Sequence, residues 1–327
     1  HAGATAGTRG PARLTGLARV AIMPFFPIEA GDHCMALLDK DNQPLSDKAD
    51  LAQHIEQALA VERTASMALE LNYRLVKRLF DPVIAGAENI PDHPCLFVGN
   101  HSLFALDGAI ILPLFNKELG RFPRAMGDRF LFSVEPVTSL LMSNGLVMGH
   151  PEVCAALMED QQDLLVFPGG AFEAVKPSSE RYRLQWKERY GFVRMAAQYG
   201  YTIVPFGLVG PDDFYNHLFE GEEFPASPLG RLLSNLGLLH ENTRTDILPP
   251  LPLGSLGTMF PKPQRCYLGF GEALDLSDHE GVKLDKKTLR DLRRRVAGEI
   301  ESQLADLLVI REENREQEGL LRRLLTR

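Results

Sequence analysis

The sequence predicts an α/β protein: a mixed, largely parallel sheet flanked by helices, with a helical N-terminal portion and a C-terminal helix. From Asp81 onward, short apolar runs at 95–98, 164–167, 202–209 and 265–270 alternate with helical stretches, as in a sheet covered on both faces. Before them, apolar residues between 46 and 80 recur at helical spacing. After them, Leu289, Leu292, Val296, Ile300, Leu304 and Leu307 fall on one side of a long helix, ready to pack against the domain.

Taken in chain order, residues 1–15 are small and polar and read as a flexible start. The apolar stretch 14–28 is broken by Arg19, Pro24 and Pro27, so it does not read as a signal peptide. Ser46 can cap a helix running to about Phe80, with Leu51, Ile55, Leu59, Leu71, Leu75 and Leu79 spaced for one face. This divides the chain into a helical region, 1–80, and an α/β domain, 81–327, that ends in the long helix. Within the domain, Leu229, Leu232, Leu233 and Leu236 recur at helical spacing, and a proline-stiffened apolar stretch follows at 247–253. That region suits a membrane-facing lip or the wall of an acyl tunnel, although packing in the core is the simpler use.

Composition narrows the function classes. Of 327 residues, 45% are hydrophobic and 24% charged, ordinary values for a globular protein. Forty-three acids against 35 Lys and Arg give a net charge of -8, which argues against nucleic acid as a partner. It also leaves attraction to anionic lipid to local basic patches. No stretch approaches 18 uninterrupted apolar residues, so no transmembrane helix is expected and a lipid would be met from the surface. Cys34, Cys95, Cys154 and Cys266 are scattered without paired or metal-ligand spacing, so reduced thiols and no metal centre are expected.

Two runs carry chemistry. The apolar segment 95–98 ends in Gly99-Asn100 and delivers His101 to a strand's C-terminal edge, where open α/β sheets bind ligands. Asp107 follows six positions later. On one regular helix these two would stand roughly 120° apart, so they meet only if His101 lies on the turn and Asp107 on the next segment. The carboxylate then fixes the imidazole tautomer, and the other ring nitrogen takes a proton from a hydroxyl. A structural His–Asp pair is the competing reading. The second segment, 164–167, opens into Pro168-Gly169-Gly170 and then Glu173, a turn that lets backbone approach a ligand. A helix N-terminal charge answering the macrodipole is the plainer account of Glu173.

The order Asn100-His101, five residues, Asp107, then Phe-Pro-Gly-Gly-Ala-Phe-Glu-Ala at 167–174, the block at 182–192 and Thr-Ile-Val-Pro-Phe at 202–206 resembles the glycerolipid acyltransferase superfamily. It is nearest the diacylglycerol acyltransferase type 2 and phytyl ester synthase branch. The resemblance spans about 71–276. It implies His101 as general base, Asp107 as the acid that orients it, and direct acyl transfer from coenzyme A or acyl-carrier protein to a lipid hydroxyl, with no bound cofactor.

Two departures shape the acceptor. Lysophosphatidate acyltransferases have four residues between His and Asp and carry Phe-Pro-Glu-Gly-Thr-Arg, whose arginine is thought to hold the acceptor phosphate; here the spacing is five and that arginine is missing. A neutral acceptor, diacylglycerol or a long-chain alcohol, is therefore favoured over a phosphate-bearing one. Arg124, Arg129, Lys176, Arg181, Arg183, Lys187 and Arg189 are candidates for the donor's phosphates, Arg189 foremost because it lies inside a matching block. The expected substrate contacts are Asn100, Arg129, Gly169, Gly170, Ala171, Glu173 and Arg189, with backbone amides around 168–171 holding the oxyanion. The resemblance places such an enzyme in the cytoplasm, peripherally on the inner face of a membrane. A thioesterase and a non-catalytic lipid carrier remain the rival readings, although neither a Gly-x-Ser-x-Gly elbow nor a His-Glu-x-x-His pair is present.

Overall fold

The computed structural model describes residues 48–63, 67–132, 137–219 and 251–326. Its frame is a seven-stranded sheet. The strands stand in the order β1 (Val83–Ala85), β9 (Tyr267–Phe270), β6 (Thr202–Val209), β2 (Cys95–Gly99), β5 (Leu164–Val166), β3 (Arg124–Gly127) and β4 (Leu146–Met148). From β6 to β4 all neighbours are parallel; β9 runs antiparallel to β6 and parallel to β1. A separate antiparallel ladder joins β7 (Asn216–Phe219) to β8 (Leu251–Leu253).

Alternation along each strand supplies two cores, because successive side chains point to opposite faces. Cys95 and Phe97 of β2 enter one core with Leu165, Phe206 and Phe270, covered by α2 (Met67–Phe80) and α3 (Leu106–Lys117). Leu96 and Val98 enter the other with Leu164, Val166 and Ile203. That face is covered by α1 (Lys48–Ala60), α5 (Pro151–Glu159), α7 (Gly191–Gln198) and α8 (Lys286–Asn314). Short helices α4 (Val137–Ser143), α6 (Gly170–Ala174) and α9 (Leu320–Leu325) complete the described elements. Asp285 caps α8 by accepting from Thr288 N–H at 2.7 Å. The side of α8 read from the sequence, Leu289 to Leu307, is the buried one.

Three expectations need correction. The helix expected over 46–80 is two helices, α1 and α2, with a break after Ala60; Ser46 lies outside the described residues. Leu71 and Leu75 are not core residues but stand 68% and 53% exposed, while Leu69, Val76 and Phe80 are buried. Leucines line both stripes of α2, so periodicity alone did not choose the face that packs on α3. Finally, β1, β3 and β4, of three or four residues each and none buried along its whole length, did not stand out as apolar runs. The leucines at 229–236 lie outside the described residues, and of the stretch 247–253 the part Leu251–Leu253 forms β8. Among the described residues no helix is long and apolar enough to cross a membrane.

Candidate active site

Val98 of β2 pairs in register with Val166 of β5, so the turns leaving these strands meet at one edge of the sheet. His101 lies in the first turn, off any helix. The five residues that follow fold into a 3₁₀ turn, Leu103–Ala105, whose last residue takes the left-handed conformation (φ 55, ψ 28) and starts α3. Asp107 in the first turn of α3 is thereby carried back to the histidine. Its Oδ2 lies 2.7 Å from His101 Nδ1 and accepts from Ser102 N–H at 2.7 Å, while Oδ1 accepts from Gly108 N–H at 2.7 Å. Asp107 is fully buried and His101 nearly so. Amide N–H groups at the start of α3 thus hold both oxygens of Asp107. Since the carboxylate only accepts, Nδ1 carries the proton and Nε2 is the basic nitrogen. Phe167 stacks on the imidazole, centroids 4.4 Å apart and planes within 10°.

The glycine turn supports this pair from the other side. Glu173 of α6 accepts His101 backbone N–H at 2.8 Å and Gln185 N–H at 3.3 Å. Burial pushes its carboxyl above the ordinary value, opposed by Lys176 and the His101 and Gln185 amides. The approach requires Gly169: a Cβ there would stand 1.8 Å from Glu173 Oε2. Gly170 sits at φ 54 and donates to Phe167 O at 3.0 Å, closing the turn. Pro168 has no N–H and that of Gly170 is engaged, so Gly169 carries the amide in 168–170 left for an oxyanion.

The remaining expected residues fall as follows. Asn100 clips the turn to β6, donating to Leu208 O at 3.0 Å and accepting from Leu208 N–H at 2.8 Å. Arg189 donates to the carbonyls of Pro168 and Gly169 at 2.7 and 2.8 Å, holding the glycine turn. Ala171 lies in α6 directly behind it. Arg129 is exposed just beyond β3, at the same sheet edge, and no described contact ties it to His101. Arg124 is fully buried at the opposite end of β3, where burial lowers its pKa to about 10. That removes it from the donor's reach. Lys176, read as a surface cation, is buried instead: its ammonium donates to His101 O at 2.5 Å and pairs with Asp212 at 3.0 Å. Asp212 was not singled out in the sequence; its only signal was an acidic pair after a long apolar strand.

A buried His–Asp pair at the C-terminal edge of a mainly parallel sheet, beside a glycine turn, has the groups and the geometry that general-base chemistry needs. Residues 82–209 match the acyltransferase family model. The match encloses His101, Asp107, Glu173 and Arg189. Among curated relatives, phytyl ester synthase 1, chloroplastic, of Arabidopsis thaliana is 32% identical over 71% of this chain and 35% of its own length. An enzyme described as DGAT1/2-independent and synthesizing storage lipids, from Gallus gallus, is 27% identical over 51% of each chain. The chain therefore spans only a third to a half of the length of these relatives. A solved 1-acyl-sn-glycerophosphate acyltransferase, PlsC from Thermotoga maritima, aligns at 14% identity and TM-score 0.39, covering 78% of this chain and 88% of that one.

Proposed function

We propose that this protein is an O-acyltransferase that moves a fatty acyl group from acyl-coenzyme A or acyl-carrier protein to the hydroxyl of a neutral lipid. The observation that carries the reading is the buried 2.7 Å contact between His101 Nδ1 and Asp107. His101 Nε2 takes the proton of the acceptor hydroxyl as its oxygen attacks the thioester carbonyl carbon. The oxyanion forms beside the Gly169 amide. Collapse breaks the carbon–sulfur bond, and the imidazolium returns its proton to the leaving thiolate, giving ester and free thiol. Asp107 holds the tautomer and stabilises the imidazolium.

A neutral acceptor is favoured because Phe172 stands where the phosphate-binding arginine of the lysophosphatidate enzymes would fall. The names of both relatives, a phytyl ester synthase and a storage-lipid enzyme, agree with it. A phosphate-bearing acceptor is the second reading, favoured by Lys187, whose ammonium lies 3.9 Å from the centre of the Phe172 ring. Contact with a membrane surface, taken here as the inner face on the cytoplasmic side, is supported by the exposed apolar stripe of α2.

The test is to offer the purified protein acyl-coenzyme A or acyl-carrier protein with lysophosphatidate, monoacylglycerol, diacylglycerol and fatty alcohol in turn, following free thiol and ester. Ester product lost in His101→Ala supports the reading. Free fatty acid in place of ester would make the protein a thioesterase, and no thiol release with any donor would make it a lipid carrier.

A further inference from the structure

Outside the His101 cluster, the described residues form a groove of about 1090 Å³ along α7, reaching from Pro168 past Tyr199, with 281–289 ahead of and into α8 as its other wall. Its size lies just above the usual range of small-ligand sites, about 300–1,000 Å³. One end of the groove is the catalytic turn itself. Pro168 lines it, and Arg189, which also lines it, holds the Pro168 and Gly169 carbonyls.

The groove collects positive charge on a chain whose net charge is -8. Besides Arg189, it is lined by Arg194, Lys283 and Lys286, against Glu159 and Glu188. Glu188 accepts from the Tyr190 hydroxyl and faces Lys286, which leaves four cations against two acids. Arg194 and Lys283 are exposed and have no ion-pair partner among the described residues. Unpaired cations gathered in a concavity raise the local concentration of an anion and bind it more strongly than the same charges on a convex surface. Phe192 and Leu284 add apolar wall.

We infer that this groove binds the phosphorylated nucleotide of coenzyme A, its phosphates on Arg194, Lys283 and Lys286, so that the pantetheine arm passes Pro168 to bring the thioester to His101. The inference rests on the proposed transfer from an acyl thioester and names the donor for it. Coenzyme A fits better than a carrier protein: its nucleotide carries three phosphates and a planar base that fill a cleft, whereas a carrier protein brings a single phosphate to the arm and a convex surface.

The experiment compares kcat/KM for acyl-coenzyme A with kcat/KM for the same acyl group on pantetheine, which lacks the nucleotide. It uses the full chain and the variant Arg194→Glu/Lys283→Glu/Lys286→Glu, with Arg315→Glu, exposed and away from the groove, as control. The ratio falls at least tenfold in the triple variant, through KM for acyl-coenzyme A, and 3′,5′-ADP inhibits the wild type but the variant at least tenfold less well. A ratio unchanged within twofold overturns the groove, as does a defect confined to acyl-carrier protein. A wild type that releases thiol from neither donor would overturn the acyl-transfer reading itself, a separate result. Unchanged thermal melting of the triple variant shows that the comparison is between folded proteins.

Discussion

Glu173 and His101, 72 residues apart in sequence, are joined by a 2.8 Å hydrogen bond from the histidine's backbone N–H to the buried carboxylate. On the other side of the same residue, Lys176 donates to the His101 carbonyl at 2.5 Å. The backbone of His101 is therefore clamped by two side chains of one short segment, while its ring is held by Asp107. Lys176 is in turn answered by Asp212, whose carboxylate also accepts Tyr182 N–H at 2.8 Å. The neighbouring Asp213 binds Arg311 of α8 at 2.6 Å. Through these bonds the loop after β6 and the C-terminal helix share in fixing His101.

Lys176 acts through the histidine rather than on substrate, so its loss is predicted to appear in kcat. Lys176→Met should lower kcat by about 10- to 100-fold, since a displacement of about 1 Å at a general base is worth that much, with KM within about twofold. Steady-state kinetics in acyl thioester check it; a rise in KM at unchanged kcat would place Lys176 on the substrate instead.

Asp107→Asn keeps the shape of the acid but removes the charge that stabilises the imidazolium, and it offers Nδ1 a donor as readily as an acceptor. Loss of general-base catalysis is worth about 10²–10⁴-fold, so kcat should fall within that range while thioester binding persists. Activity within threefold of wild type would remove Asp107 from the mechanism.

Glu173 makes a statement about pH. Burial raises its folded pKa above the unfolded value, so the folded state binds a proton that the unfolded state has already released. Its contribution to stability is fully present below the unfolded pKa and is lost as pH rises through the folded one. Glu173→Gln, which cannot ionise, should therefore gain stability relative to the wild type as pH rises from acid to neutral conditions. Denaturant titrations of both proteins across that range check the sign. A wild type that gains stability relative to the variant as pH rises would show the opposite shift.

Much of the site was legible because its chemistry rests on side chains in short sequence windows: His101 and Asp107 lie six apart, and Gly169 and Glu173 four apart. The sheet was legible where strands are buried on both faces and read as unbroken apolar runs, as β2, β5 and β6 do. β1, β3 and β4 were not, because each is short and none is buried along its whole length. Nor was the clamp: Lys176 looks like a surface lysine, and only the fold brings Asp212 to it. The packed face of α2 was hidden for a different reason, since its two leucine stripes differ only in what they meet.

The close approach of Gly169 to Glu173 sets a steric prediction. In Gly169→Ala the new methyl would stand 1.8 Å from Oε2 and 2.4 Å from the Cβ of Glu173, so α6 or the turn must move. Overpacking of this kind costs about 1–3 kcal/mol, which should lower the melting temperature by several degrees. Because the displaced carboxylate also releases His101 N–H, activity should fall further than stability accounts for. A variant that melts and turns over like wild type would mean that the turn is slack, and the clamp on His101 with it.

The apolar stripe of α2 carries the prediction for membrane contact. Met67, Leu71 and Leu75 stand 89%, 68% and 53% exposed, in a row spaced four apart. Their basic neighbours are partly answered within the fold, Arg74 by Glu70 and Lys77 by Glu118. Apolar transfer should therefore dominate over charge, with each residue worth about 1 kcal/mol for partial insertion. Replacing all three by Gln should lower co-sedimentation with phospholipid vesicles by at least tenfold while leaving the unfolding free energy within about 0.5 kcal/mol per site, as for exposed positions generally. Neutral vesicles should retain most of the wild-type binding. Binding that survives the triple substitution, or that vanishes on neutral vesicles, would assign the membrane contact to charge or to another part of the chain.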